Sequence, residues 1–70
     1  MTRITPAGDW IFLNRDGIGD YRVVSTGGLV PGEITEGGRV IVAAGESHDV
    51  AVDDQKLIAV RYQNIVGVKT

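Results

Sequence analysis

At 70 residues, with no cysteine and one histidine, the chain is a single small domain that disulfides, thiolate metal sites or nitrogen-rich metal sites cannot hold together. A domain of this size buries only about 60% of the surface its unfolded chain exposes, so oligomerisation is the support left for a marginal core. Seven Lys/Arg, set singly along the chain against nine Asp/Glu, give a net charge of −2 and none of the basic stripe of a nucleic-acid binder.

The opening segment, Met1-Thr2-Arg3-Ile4-Thr5-Pro6, lacks the apolar h-region of a signal peptide. No apolar run approaches the roughly 20 residues that span a bilayer. The expectation is a protein that is neither secreted nor held in a membrane. Ten glycines and two prolines then cut the chain into short pieces, and no helical period survives. Short β-branched runs between turn residues predict an all-β domain over 1–70, with strands at Trp10–Asn14, Tyr21–Thr26, Arg39–Val42, Asp49–Val52, Leu57–Tyr62 and Ile65–Val68. The turns fall at Arg15–Asp20, Gly27–Gly38, Ala44–His48, Asp53–Lys56 and Gln63–Asn64. Val50–Val52 and Leu57–Tyr62 alternate, whereas Val40-Ile41-Val42 reads as buried on both faces. Six short strands so spaced suggest a small closed β-barrel rather than a sandwich.

Few residues invite chemistry. Asp53 and Asp54 form a carboxylate pair, but no third acid adjoins them, and a polar turn accounts for both because Asp bonds nearby backbone N–H groups. His48 would need a positioned hydroxyl nucleophile and an orienting carboxylate; Ser47 and Asp49 are only its neighbours in sequence. The pairs Gly27-Gly28 and Gly37-Gly38 lack the Gly-Lys-Ser/Thr and the helix of a phosphate loop. No catalytic residue, metal ligand or cofactor is expected, and hence no enzyme.

Partner contact is the remaining role. Trp10 and Tyr62 are large surfaces on strands, suited either to the core or to anchoring a subunit interface. Leu29 and Val30 lie between two glycine pairs and before Pro31, on a segment poorly placed for the core. They fit either a partner contact or a plug folded over the barrel end.

Several segments, in order and spacing, resemble the GroES (chaperonin-10) co-chaperonin family over about two-thirds of the chain. Ile4-Thr5-Pro6-Ala7-Gly8-Asp9-Trp10-Ile11-Phe12-Leu13 is similar to the family's I-R-P-L-G-D-R-V-L-V, and Ile34–Val42 to its V-K-x-G-D-x-V-x-F. Asp49–Asp53 resembles E-V-K-V-D, and Leu57–Val68 the closing L-L-x-V-R-E-x-D-I-L-A-V. The resemblance implies a GroES-like barrel in a ring that caps a chaperonin through a long mobile loop bearing an apolar tripeptide. This chain departs from that pattern. Only six residues separate Asn14 from Tyr21, so with Tyr21–Gly28 as the next family strand, the mobile loop and most of the roof hairpin are missing. The rival alignment makes Thr26–Val30 the loop motif and deletes a barrel strand, leaving ladder groups unpaired. Gly37-Gly38 also replaces the family's Gly-Asp.

The expectation is therefore a structural or assembly protein contacting copies of itself and a larger protein assembly, such as a decoration protein on a phage capsid lattice, in the virion or the host cytoplasm. The alternative is a reduced co-chaperonin that docks on a chaperonin. Leu29, Val30, Trp10 and Tyr62 are the candidate partner-binding residues. Neither nucleic acid nor membrane is expected as a partner.

Overall fold

The computed structural model describes residues 4–15, 17, 20–43 and 45–69. They form six strands: β1 (Trp10–Arg15), β2 (Tyr21–Thr26), β3 (Arg39–Val42), β4 (His48–Val52), β5 (Gln55–Arg61) and β6 (Ile65–Lys69), with one 3₁₀ turn at Tyr62–Asn64. All pair antiparallel in a single sheet of order β4-β5-β1-β2-β3-β6. The sheet rolls around one core into a small all-β, barrel-like body, with β4 and β6 at its margins.

The strands match the expected ones to within two residues at each end, with two corrections. Strand β5 begins at Gln55, so the turn expected over Asp53–Lys56 shrinks to Asp53 and Asp54 between the paired residues Val52 and Gln55. Both aspartates have left-handed backbones, with φ of 47° and 66°, as a two-residue hairpin turn of the mirror-image type requires. Tyr62 was expected on a strand; instead it leaves the ladder and opens the 3₁₀ turn. The turns expected over 15–20 and 44–48 include residues 16, 18, 19 and 44, which lie outside the described residues.

The core explains the registers. Ile11 pairs with Val60 and Leu13 with Ile58, and all four side chains point inward, where they meet Val23, Ile34 and Val40. Tyr21, Val30, Val42, Tyr62 and Ile65 pack around this cluster. Two irregularities reset the inward face. Opposite Phe12 and Leu13 the pairing jumps from Ser25 to Val23, leaving Val24 as the extra residue of a bulge. Opposite Ile41 and Val42 it jumps from Gly67 to Ile65, which leaves out Val66.

Burial departs from the expected patterns in two strands. Leu57, Ile58, Ala59 and Val60 are all buried, so β5 does not alternate. It lies between β1 and β4, and the outward side chains of both neighbours cover Leu57 and Ala59. Conversely, Val40-Ile41-Val42 is not buried on both faces: Ile41, on the outside of β3, is 39% exposed.

The connection 27–38 is more ordered than a glycine-rich turn suggests. Val30 N–H donates to the Gly27 carbonyl, Ile34 N–H to Pro31 and Gly38 N–H to Thr35, while Gly37 N–H and the Gly38 carbonyl bond Val23 on β2. Ile34 is 4% exposed and belongs to the core. Gly27 is required for steric reasons. A Cβ there would sit 2.1 Å from the Gly8 carbonyl oxygen, where the N-terminal segment crosses the end of β2.

Candidate interaction surface

The chain pairings converge on one end of the barrel, where β1 begins, β2 ends and β5 ends. Gly27 N–H donates to the Trp10 carbonyl, Leu29 N–H to Gly8 at 3.0 Å, and Tyr62 N–H to Asp9 at 2.9 Å. These three bonds bring together all four residues singled out in the sequence: Leu29, Val30, Trp10 and Tyr62. They do not share one role there.

Val30 and Tyr62 are half-buried and pack against the core, closing the barrel end. Val30 is therefore the plug. The Tyr62 hydroxyl reaches past the core and donates a 2.7 Å hydrogen bond to Glu33 Oε1. That bond, with some desolvation and the Glu33 charge, raises the Tyr62 pKa above its ordinary value. Leu29 behaves differently. It is 76% exposed, yet its backbone is fastened to Gly8, so an apolar side chain projects from a fixed turn.

Trp10 points to the outer face, because its neighbour Ile11 points inward. Its ring meets His48 edge-on with centroids 6.0 Å apart, and the Arg61 guanidinium lies 5.9 Å from the ring centroid. Arg61 Nε in turn donates to Asp9 Oδ2 at 3.3 Å. A half-exposed indole is thus held between a cation and an imidazole. Asp53 and Asp54 stand exposed at the opposite end of β4, away from His48. Among the described residues, no group of three or more His, Asp or Glu is placed to hold a metal ion.

A second feature was not singled out in the sequence. On the outside of β3 and β6, Ile41 and Val66 (69% exposed) form a short exposed apolar strip near one margin of the sheet, whereas Val68 pairs with the buried Val40 and faces the core side. Strand β6 has one ladder, to β3, and its other side carries none among the described residues. The bulge turns Val66 outward, and bulges cannot be read from one strand's composition. Among the described residues no helix is long and apolar enough to cross a membrane.

A comparison with models of protein families finds no match for this chain, and neither does a comparison with curated proteins.

Proposed function

We propose that the chain is a non-enzymatic structural or assembly protein, a small GroES-like barrel that packs on copies of itself and on a larger protein lattice such as a phage capsid. The observation that carries this reading is the short apolar strip of Ile41 and Val66 on β3 and the margin strand β6, whose other side carries no ladder among the described residues. An exposed apolar edge is a template for another chain, and isolated proteins usually blunt it with charge or proline. Here Lys69 guards only its last position, and it is drawn to Asp20 at 2.9 Å. Leu29 supplies a second exposed apolar contact, on a turn fastened to Gly8. The assignment to a capsid lattice rests on fold analogy and on the economy of a 70-residue module.

The reduced co-chaperonin is the second reading, favoured by the Gly27-Gly28-Leu29-Val30 sequence. A chaperonin cap needs a long loop that orders on docking. The connection 27–38 is instead tied down by its own hydrogen bonds, and Val30 is committed to the core, which leaves Leu29 alone to dock. Sedimentation at micromolar concentration tests the first reading: self-association is expected, and a stable folded monomer overturns it. ATP-dependent capture by a chaperonin, abolished by Leu29→Asp, would restore the second.

A further inference from the structure

The outer face carries a pocket of about 180 Å³ between the N-terminal segment, β1, β2 and the β4–β5 turn. Phe12, Val24, Val52 and Leu57 give it an apolar floor, while Ser25 and Asp53 supply oxygen atoms. The β1–β2 bulge creates it, by turning Val24 and Ser25 to the same side. Ser25 is 9% exposed. Every fully enclosed side-chain polar atom among the described residues has a hydrogen-bond partner. The Ser25 hydroxyl, which no described residue partners, escapes that class through its opening onto the pocket. The lining holds two carboxylates, Asp53 and Glu36, and no cation. Glu36 is engaged within the chain, so Asp53 is the charge that the pocket offers.

We infer that this pocket receives a lysine side chain of a partner protein. An apolar floor beside a carboxylate and an unpartnered hydroxyl suits a side chain with an aliphatic stem and a cationic head. Lysine has both: its methylenes cover apolar surface while its ammonium donates in three directions. Arginine fits less well. Its wide planar fork suits the two oxygens of one open carboxylate, whereas the compact ammonium can reach Asp53 and the nearly buried Ser25 hydroxyl together. This inference goes beyond self-association and does not depend on it.

The test is an NMR titration of the whole chain with Nα-acetyl-lysine methylamide, with the norleucine and arginine analogues as controls. The lysine probe is expected to give saturable amide shifts at Ser25, Val52, Asp53 and Leu57. The norleucine probe should bind more weakly by about two- to fivefold, the margin of an exposed ion pair. Asp53→Asn should remove that margin and spare the fold, because Asn tolerates the left-handed backbone of this turn. Ser25→Ala should weaken the lysine probe alone. Equal binding of norleucine, tighter binding of arginine, or no saturable shift in the folded chain would each overturn the assignment.

Discussion

Trp10 on β1 and His48 on β4 meet edge-to-face across the intervening strand β5, with Ala59 lying beneath them. Phe12 and His48 both pair with Ala59, and Trp10 pairs with the neighbouring Arg61. Only a small residue at 59 lets the two rings approach over the strand between them. Trp10→Leu and His48→Ala should therefore be coupled by about 0.5–1.5 kcal/mol in a double-mutant cycle. Ala59→Leu should force the rings apart and cost about 1–3 kcal/mol through overpacking. Urea unfolding of the four variants measures the coupling, and a strictly additive pair would mean that the rings do not touch in solution.

The β4–β5 turn holds two aspartates where asparagine-glycine is the favoured pair. At Asp54, with φ of 66°, a side chain raises the energy of the left-handed backbone. Asp54→Gly should stabilise the fold by about 0.5–1 kcal/mol, even though glycine loosens the unfolded chain. The midpoint of chemical denaturation should rise with an unchanged slope. A fall in the midpoint would mean that the Asp54 carboxylate makes a bond that outweighs the strain.

The Tyr62–Glu33 bond makes a signed pH prediction. The phenol's pKa is raised in the folded state, first by the hydrogen bond to Glu33, then by desolvation and by the Glu33 charge. The bond's contribution to stability is therefore fully present below the ordinary tyrosine pKa of about 10 and is lost as pH rises through the higher, folded value. Glu33→Gln should lower the ionisation midpoint of Tyr62, read by ultraviolet difference absorbance in a Tyr21→Phe background. An unchanged midpoint would rule out the bond as the cause.

Which parts of this arrangement the sequence discloses follows from where the information lies. The strands are legible because β-branched runs such as Tyr21–Thr26 and Arg39–Val42 sit between turn residues, and these are local signals. Cross-strand register is not local. Nothing in Leu57-Ile58-Ala59-Val60 discloses that Trp10, Phe12 and His48 will cover its outer side, so the strand reads as alternating. Ile34 is the plainest loss. It stands alone among glycines and acids with no period around it, yet its turn folds back over the core. For the candidate site, the apolar character of Leu29, Val30, Trp10 and Tyr62 was visible. Their division into knob, plug, outer ring and lid was not, because it depends on bonds to Gly8 and Asp9, about 20 or more residues away in the chain.

The last prediction concerns assembly, and its strength lies in the exposure of the residues it uses. Leu29 is 76% exposed and Val66 is 69% exposed, so neither supports the fold of an isolated chain by burial. Leu29→Asp and Val66→Lys should each change the unfolding free energy of the monomer by less than about 1 kcal/mol, as surface substitutions usually do. At an interface the same residues would be desolvated, and a charge placed there would meet an apolar surface. Self-association should then weaken by about tenfold or more, equivalent to about 1.4 kcal/mol. Val66→Lys should have the larger effect, because a lysine on a margin strand opposes the addition of another strand directly. Sedimentation velocity of the wild type and both variants over a concentration series reads this out, with thermal unfolding in parallel to verify the fold. Unchanged association in both variants would remove the apolar strip and the Leu29 knob as assembly contacts. Loss of folding together with loss of association would show that the fold itself depends on assembly, as a core this small allows.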